Sequence, residues 1–501
     1  MHRCLCVAEI VRLIADSARP STGTLLAMGL TCRAFFDPAM SALWNWLSCP
    51  DFLIKVLPEH TRGADDETHL TLVRAPSEAD WARFEMYSRR VQYLDYWLAV
   101  YFDADIAAPR VDWGSILKYY PGDKLLPNLL LFRSSAAYLE EHLSLFIKSP
   151  LRHLSISPVE EEPIAQYLLT CAKTLQTCVI HGRLRHSSIP PSYEISRALS
   201  TFQSLTQLDV DALLPETLQH LSCLPSLTHL SFDLAAVRVM TGELPFPSLQ
   251  QLSVTVRIAD RAFSALLRQI AAPKLLHLRV FYQVKEDVAT AGGVFQADQF
   301  PTAVYVEALV SGVATFSTLQ TVVLATSVDS NAVHLPQHVC TGSVLRPLLA
   351  LRSLSVVQLT RIPLLLMAND VAAFADAWPA LRVLRLSNDL RHVWPSIRVP
   401  DLLPLAQRCA HLAELSLPIA IADDTGSADT PAFGVSALRT LRFHDAVIEF
   451  SPDIAAHLAC MFPDAELCVD GEAGPAFDLL KRTKQAFVQM MRRQLALQEA
   501  A

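Results

Sequence analysis

Residues 275–280 read LLHLRV, with apolar side chains at the first, fourth and sixth places and polar ones at the third and fifth. The same six-residue phrase recurs along the middle of the chain: LRHLSI from Leu151, LQTCVI from Leu175, LTQLDV from Leu205, LTHLSF from Leu227, LQQLSV from Leu249, LQTVVL from Leu319, LSVVQL from Leu354, LRVLRL from Leu381, LAELSL from Leu412 and LRTLRF from Leu438. Over these 11 copies the first, fourth and sixth places are apolar in all 33 instances, whereas the third, fifth and seventh are apolar in six of 33. An alternation of period two is the mark of a strand with one buried face.

Successive copies start 24, 30, 22, 22, 26, 44, 35, 27, 31 and 26 residues apart. These spacings, with the pattern L-x-x-L-x-L, are those of a leucine-rich repeat, whose units run to about 20–29 residues. Stripes at helical spacing lie between several phrases, at Ile164, Leu168 and Cys171, at Phe263, Leu266, Leu267 and Ile270, and at Val371, Phe374, Ala375 and Trp378. The unit is therefore strand, loop, helix. Such a unit cannot bury its own apolar face, so the sequence predicts an α/β solenoid with parallel strands on the concave side and helices on the convex side. A doubly wound α/β enzyme also alternates strand and helix, but it has no need of one phrase in 11 copies. Two weaker copies, VQYLDY from Val91 and LPNLLL from Leu126, carry the expected repeats back to about residue 90. Beyond the last repeat, Leu480, Phe487, Met491 and Leu495 sit at near-helical spacing, as a helix capping the final unit would require.

Composition agrees with a repeat. Of 501 residues, 51% are hydrophobic and 18% charged, and only 15 are glycine, which leaves little material for phosphate-cradling loops. The net charge of −8, with no long basic run, gives no nucleic-acid footprint. No apolar segment reaches the ~20 residues of a membrane span. The 11 cysteines include no C-x-x-C pair and read as reduced, mostly buried thiols without ligand spacing for a metal. A soluble protein of the cytoplasm or nucleus is expected, with no cofactor.

The chain opens MHRCLCVAEIVRLIADSA, in which Glu9 and Arg12 interrupt the apolar run and argue against a secretion signal. Val7, Ile10, Val11 and Ile14 fall at i, i+3, i+4 and i+7, one apolar stripe on a short helix. Thr24 is placed to cap a second helix, and Asp37 before Pro38 to start a third that carries Met40, Leu43, Trp44 and Leu47. Further on, Ser77 and Asp80 have the spacing of a capping box for a helix with Trp81, Phe84, Ser88 and Val91 along one side.

The run from Val7 to Trp44 resembles an F-box, the helical motif that docks on the Skp adaptor of cullin-type ubiquitin ligases. The likeness is carried by Val7, Glu9, Ile10 and Ile14, by Leu25, Leu26, Leu30, Thr31, Cys32 and Arg33, and by Leu43 and Trp44; where the family usually has proline before the glutamate, this chain has Ala8. Together with APSEADWARFEMYSRRV (75–91) and the irregular repeats, the chain is similar to a group of fungal F-box proteins. The resemblance implies a helical domain over 1–48, a connector over 49–90, a solenoid over 91–470 and a capping helix over 471–501. It implies adaptor contacts through Val7, Glu9, Ile10, Ile14, Leu26, Leu30, Cys32 and Trp44, with a cullin reached through the adaptor.

A protein target would meet the outward third, fifth and seventh places of the repeats, where Asp209, Asp211 and Asp233 fall early and Arg279, Arg385 and Arg442 fall late. The long units between Leu275 and Leu354 carry insertions at 289–301 and 325–338, and HGRLRH (181–186) groups two histidines with two arginines. Acidic clusters at 65–67, 160–162 and 423–424 read as solvated loops. No phosphate-binding, nucleophile-elbow or zinc-protease motif is present, and what the F-box resemblance implies is a non-catalytic substrate receptor of a ubiquitin ligase. The alternative is a leucine-rich-repeat scaffold that binds proteins without any link to ubiquitin.

Overall fold

The computed structural model describes residues 7–66, 69–96, 110–134, 145–146, 151–157, 162–181, 193–234, 242–256, 261–282, 303–326, 340–362, 364–387, 396–420, 436–443, 451–469 and 474–500. The chain divides into two compact units, Met1–Asp211 and Ala212–Ala501. The insertion at 289–301, most of that at 325–338, residues 182–186 and the acidic residues at 423–424 lie outside the described residues.

The first unit opens with three helices, α1 (Ala8–Ser17), α2 (Thr22–Thr31) and α3 (Arg33–Trp44). A ladder of parallel strands follows: β1 (Trp46–Leu47), β2 (Tyr93–Asp95), β3 (Leu131–Ser134), β4 (His153–Ile156), β5 (Thr177–Ile180) and β6 (Gln207–Val210), each paired with the one before it. Helix α4 (Glu78–Ser88) crosses between β1 and β2. It starts in the capping box expected of it: Asp80 N–H donates to Ser77 Oγ at 3.3 Å and Ser77 N–H to Asp80 Oδ2 at 2.9 Å. Its stripe of Trp81, Phe84, Ser88 and Val91 is buried.

The second unit continues the same plan with β7 (His229–Leu234), β8 (Gln251–Val256), β9 (His277–Tyr282), β10 (Thr321–Thr326), β11 (Val356–Thr360), β12 (Val383–Ser387), β13 (Glu414–Leu417), β14 (Thr440–Phe443) and β15 (Glu466–Val469), again parallel and in sequence order. Helical segments return the chain between strands, among them Arg261–Gln269, Ala303–Val313 and Ala368–Ala377, and the unit ends with α5 (Pro452–Met461) and α6 (Pro475–Ala500). The architecture is α/β, a leucine-rich-repeat-like solenoid.

The first, fourth and sixth places of all 11 phrases are buried, and none of these side chains is more than 4% exposed. Burial on this scale, about 25 cal/mol per Å² of apolar surface, is what holds the stack together. The helical stripes at Ile164, Leu168 and Cys171, at Phe263, Leu266, Leu267 and Ile270, and at Val371, Phe374, Ala375 and Trp378 are buried beneath them. Of the nine described cysteines, six are buried, and all nine are free thiols.

Several local expectations are corrected. Strand register pairs Tyr93 with Leu131 and Leu131 with His153, so the copy expected from Leu126 starts at Leu129 and reads LLLFRS, with Phe132 buried at its fourth place. The same register reveals a copy at WNWLSC (44–49) and another at DAELCV (464–469). The ladder thus begins at Trp46, ahead of the Val91 copy from which the repeats were expected, and Leu47 belongs to a strand instead of α3. Helix α2 is capped by Ser21, whose Oγ accepts Thr24 N–H at 3.3 Å, so Thr24 lies within the helix.

Helix α3 starts at Arg33 and contains Pro38, because the extended Cys32 carbonyl already accepts Phe35 and Phe36 N–H. Gly29 of α2 faces α3 closely: a Cβ there would stand 2.9 Å from the flexible Met40 Cε and 3.5 Å from Ala39 Cβ. In α6 the buried side runs through Phe477, Leu480, Lys484 and Val488, while Leu495 is exposed.

The ladder makes a simple contrast testable. Leu278→Ala, at a fully buried fourth place, should cost about 2–5 kcal/mol in urea unfolding, and Arg279→Ala on the outward side of the same strand about 0.5 kcal/mol or less.

Candidate docking surface

Helices α1 and α2 each divide their apolar residues between two sides. Val11 and Ala15 of α1, Leu25 of α2 and Ala42 of α3 are buried, and Ala15, Leu25 and Ala42 form a small core with Ala18, Met28 and Leu43 packed against it. On the other side Val7, Ile10, Leu13 and Ile14 of α1 are 42, 37, 66 and 42% exposed, and Leu26 and Leu30 of α2 are 49 and 75% exposed. The single stripe expected of α1 is therefore corrected: Val11 leaves it for the core, and Leu13 joins the uncovered residues. The small residues Ala15 and Ala18, at i+4 and i+7 from Val11, were the sequence signal for the packed side.

Glu9 is exposed beside these residues, and Cys32 is half-buried in the extended link between α2 and α3. Trp44 lies apart from the uncovered stripe. Its ring packs on Tyr87 of α4 at 4.8 Å between centroids, and it occupies the first place of the phrase that forms β1.

Two further links fix α3 to the first repeats. Arg90 Nη2 donates to Asp37 Oδ1 at 2.5 Å and Arg90 Nη1 to Ser41 Oγ at 2.6 Å. The Asn45 carbonyl accepts Gln92 and Tyr93 N–H. The helical group is thus attached through α3, and the outward residues of α1 and α2 remain uncovered.

Two of the outward acids expected to face a target are engaged by a residue of the neighbouring repeat. His181 Nε2 is 3.1 Å from Asp209 Oδ2 and its Nδ1 3.3 Å from Asp211 Oδ1. Both ring nitrogens meet a carboxylate, so the imidazolium with its two N–H donors fits this site. The hydrogen bond to Asp209, then that to Asp211, raises the His181 pKa from the ordinary 6.5 to about 9, against the opposing effect of burial.

In the second unit Arg279, Arg385 and Arg442 all occupy fifth places, on β9, β12 and β14, and so share one row across the sheet. Arg385 is engaged by Glu414 of the neighbouring strand, with Nε to Oε1 at 2.6 Å and Nη2 to Oε2 at 2.7 Å. Arg279 is exposed, and Asp233 and Arg442 are half-buried. Among the described residues no group of three His, Cys, Asp or Glu is arranged to hold a metal, and no helix is long and apolar enough to cross a membrane.

No protein-family profile matches the chain, and no curated protein matches it. Solved structures resemble it in part. An internalin from Listeria monocytogenes is similar over 70% of this chain and 87% of its own, at 15% identity and a TM-score of 0.35. The yeast complex of Rad7 and Elc1 is similar over 76% of this chain and 89% of the matched one, at 12% identity and a TM-score of 0.34.

Two predictions follow from this geometry. The raised His181 pKa means that the folded chain holds a proton that the unfolded chain releases above pH 6.5, so the stability it contributes is full below pH 6.5 and is lost as pH rises through about 9. Thermal melts of wild type and His181→Gln should accordingly differ most at pH 6 and converge above about pH 9. Ala8 is the first residue of α1, and Val7 before it is extended at φ −90° and ψ 113°, the conformation a following proline needs. Ala8→Pro should be accommodated with a gain of about 0.4–1 kcal/mol, read in the same melts.

Proposed function

We propose that the chain is a substrate receptor of a cullin-type ubiquitin ligase, in which α1 and α2 dock on the Skp adaptor and the repeats hold a target protein. The observation that carries this reading is the set of uncovered side chains Val7, Ile10, Leu13, Ile14, Leu26 and Leu30 on and beside two helices that both pack on α3 and bury other residues there. Apolar groups left in water on a helix pair otherwise able to bury its core are a docking surface in search of a partner. Glu9 and Cys32 border this surface in the proposed complex, and Trp44 supports it from behind by holding α3 on α4. The cullin is reached through the adaptor.

The protein's contribution would be proximity. Holding a target beside the ubiquitin-carrying enzyme replaces a bimolecular encounter by an effective concentration in the millimolar range. The outward row of Arg279, Arg385 and Arg442, with Asp233, in the second unit and Asp209 and Asp211 in the first are the proposed target contacts. Because His181 neutralises part of the charge of Asp209 and Asp211, and Glu414 that of Arg385, the exposed Arg279 is the strongest single point of charge complementarity.

One observation favours the second reading, a repeat scaffold unconnected with ubiquitin. Helix α3 runs directly into β1, so the three helices also serve as the N-terminal cap of the ladder.

Co-purification of the full chain with the Skp adaptor separates the two. Capture should occur with the native chain and fall by at least about a hundredfold in the Ile10→Asp, Ile14→Asp double variant, whose melt should stay near that of wild type because both side chains are exposed. A folded native chain that captures no adaptor would give the scaffold reading the lead.

A further inference from the structure

The ladder of the second unit is closed by one repeated bond. At the second place of each phrase the carbonyl accepts backbone N–H from the following strand: Thr228 from Gln250 and Gln251, Gln250 from Leu276 and His277, and so on through Gln320, Ser355, Arg382 and Ala413, to Arg439, which accepts Glu466 N–H, all at 2.7–3.1 Å. Strand β15 stands last in the sheet order, and a terminal strand has its outward groups unmet by any neighbour.

The equivalent carbonyl of β15 belongs to Ala465, and it is not left bare. Lys484 of α6 donates from Nζ to Ala465 O at 2.8 Å and to Pro463 O at 3.1 Å. Lys484 is 4% exposed, a burial that an ammonium group tolerates only when its donors are used. On either side of it α6 is tied to the strand segment by ion pairs, Lys481 with Glu466 at 3.6 Å and Arg492 with Asp464. A cavity of about 600 Å³ lies beside these residues, lined also by Leu467, Gln485, Val488 and Gln489.

We propose that Lys484 stands in for a further repeat: its ammonium fills the carbonyl that every earlier unit offers to the next, and so closes the edge of β15 against a strand from a second copy of this chain. The excluded strand is argued from the register itself. A ladder strand of another copy carries the N–H groups at its second and third places that this carbonyl accepts in every other unit, and the same parallel register leaves Leu467 N–H, Leu467 C=O and Val469 N–H pointing outward to complete the pairing. Lysine suits the post because its three N–H donors can meet two carbonyls from one side, as the paired N–H groups of a strand do from theirs.

Desolvation lowers the Lys484 pKa from 10.5 to about 8, with Asp464 acting against the shift and Arg492 with it. Between these values the unfolded chain holds the proton and the folded chain does not, so stability rises with pH across that window.

The test compares wild type, Lys484→Met, and Lys484→Met with Val469→Pro, each as the full chain, by light scattering after size exclusion and by melts from pH 7 to pH 10. Methionine keeps the stem and removes the donors. Lys484→Met should self-associate at least about tenfold more tightly than wild type and lose the rise in stability above pH 8. Proline at 469 removes an outward N–H without touching the bonds to β14, so it should return the double variant to the wild-type mass. A folded Lys484→Met of unchanged mass, or association that survives Val469→Pro, would overturn the proposal. Should Lys484→Met fail to fold, Lys484→Arg decides: with donors retained and the adjoining cavity to receive the larger head, a folded chain of wild-type mass bears out the donor role, and an unfolded one refutes it.

Discussion

A parallel strand of a few residues makes two demands that it cannot meet alone. Its apolar triplet must be covered, and the carbonyl at its second place must find a donor. In this protein both demands fall on the next unit, and each unit meets them for the one before. The consequence is a sequence free to vary everywhere except where the demand is made: the third, fifth and seventh places range over Ser, Asp, Arg, His, Gln and Val, while the first, fourth and sixth stay apolar and buried. Loop lengths are equally free, since start-to-start spacings from 22 to 44 residues leave the register unchanged.

The demand cannot be passed on without end, and the two termini answer it differently. At the start, α3 delivers the chain straight into β1, with Trp44 serving both as the last helical residue and as the first place of a phrase. Trp46 of β1 stacks on Tyr93 at 5.3 Å, which covers a strand only two residues long. At the other end a side chain takes the role of backbone, as the Lys484 bonds to Ala465 and Pro463 illustrate. In both places the repeat is replaced by something that offers the same surface or the same donor, which is why the terminal units have atypical sequences.

This division explains what was legible in the sequence. The 11 internal phrases were visible because burial forces their pattern. The terminal ones were not: Asp464 stands at a first place where leucine would announce a repeat, since its neighbours there are α6 and solvent instead of another unit. The copy at Leu129 was misplaced by three residues because Leu126 and Leu129 are both apolar and buried, and only pairing with His153 separates them. Thr24 and Asp37-Pro38 are sound local start signals that lost to earlier ones: Ser21 caps α2 with its Oγ, and the Cys32 carbonyl starts α3 at Arg33. The His181 cluster was within reach: aligning the phrases on their first places sets His181 and Asp211 together at the seventh, with Asp209 two residues before.

The same reasoning isolates the N-terminal helices. Within the ladder no apolar side chain at a first, fourth or sixth place of the internal phrases is more than 4% exposed, so the fold shows no shortage of partners for apolar surface. Helices α1 and α2 have a core of their own, built on Ala15, Leu25 and Ala42, and still leave six large apolar side chains 37–75% exposed. At about 25 cal/mol per Å², leaving such side chains in water forgoes several kcal/mol that a polar substitution would not need to recover. A helical cap whose work was confined to covering β1 would gain nothing from Ile10, Leu13, Ile14 and Leu30 on its far side. The proposed docking accounts for their presence, because an occupant on that side would meet α1 and α2 as each repeat meets the next.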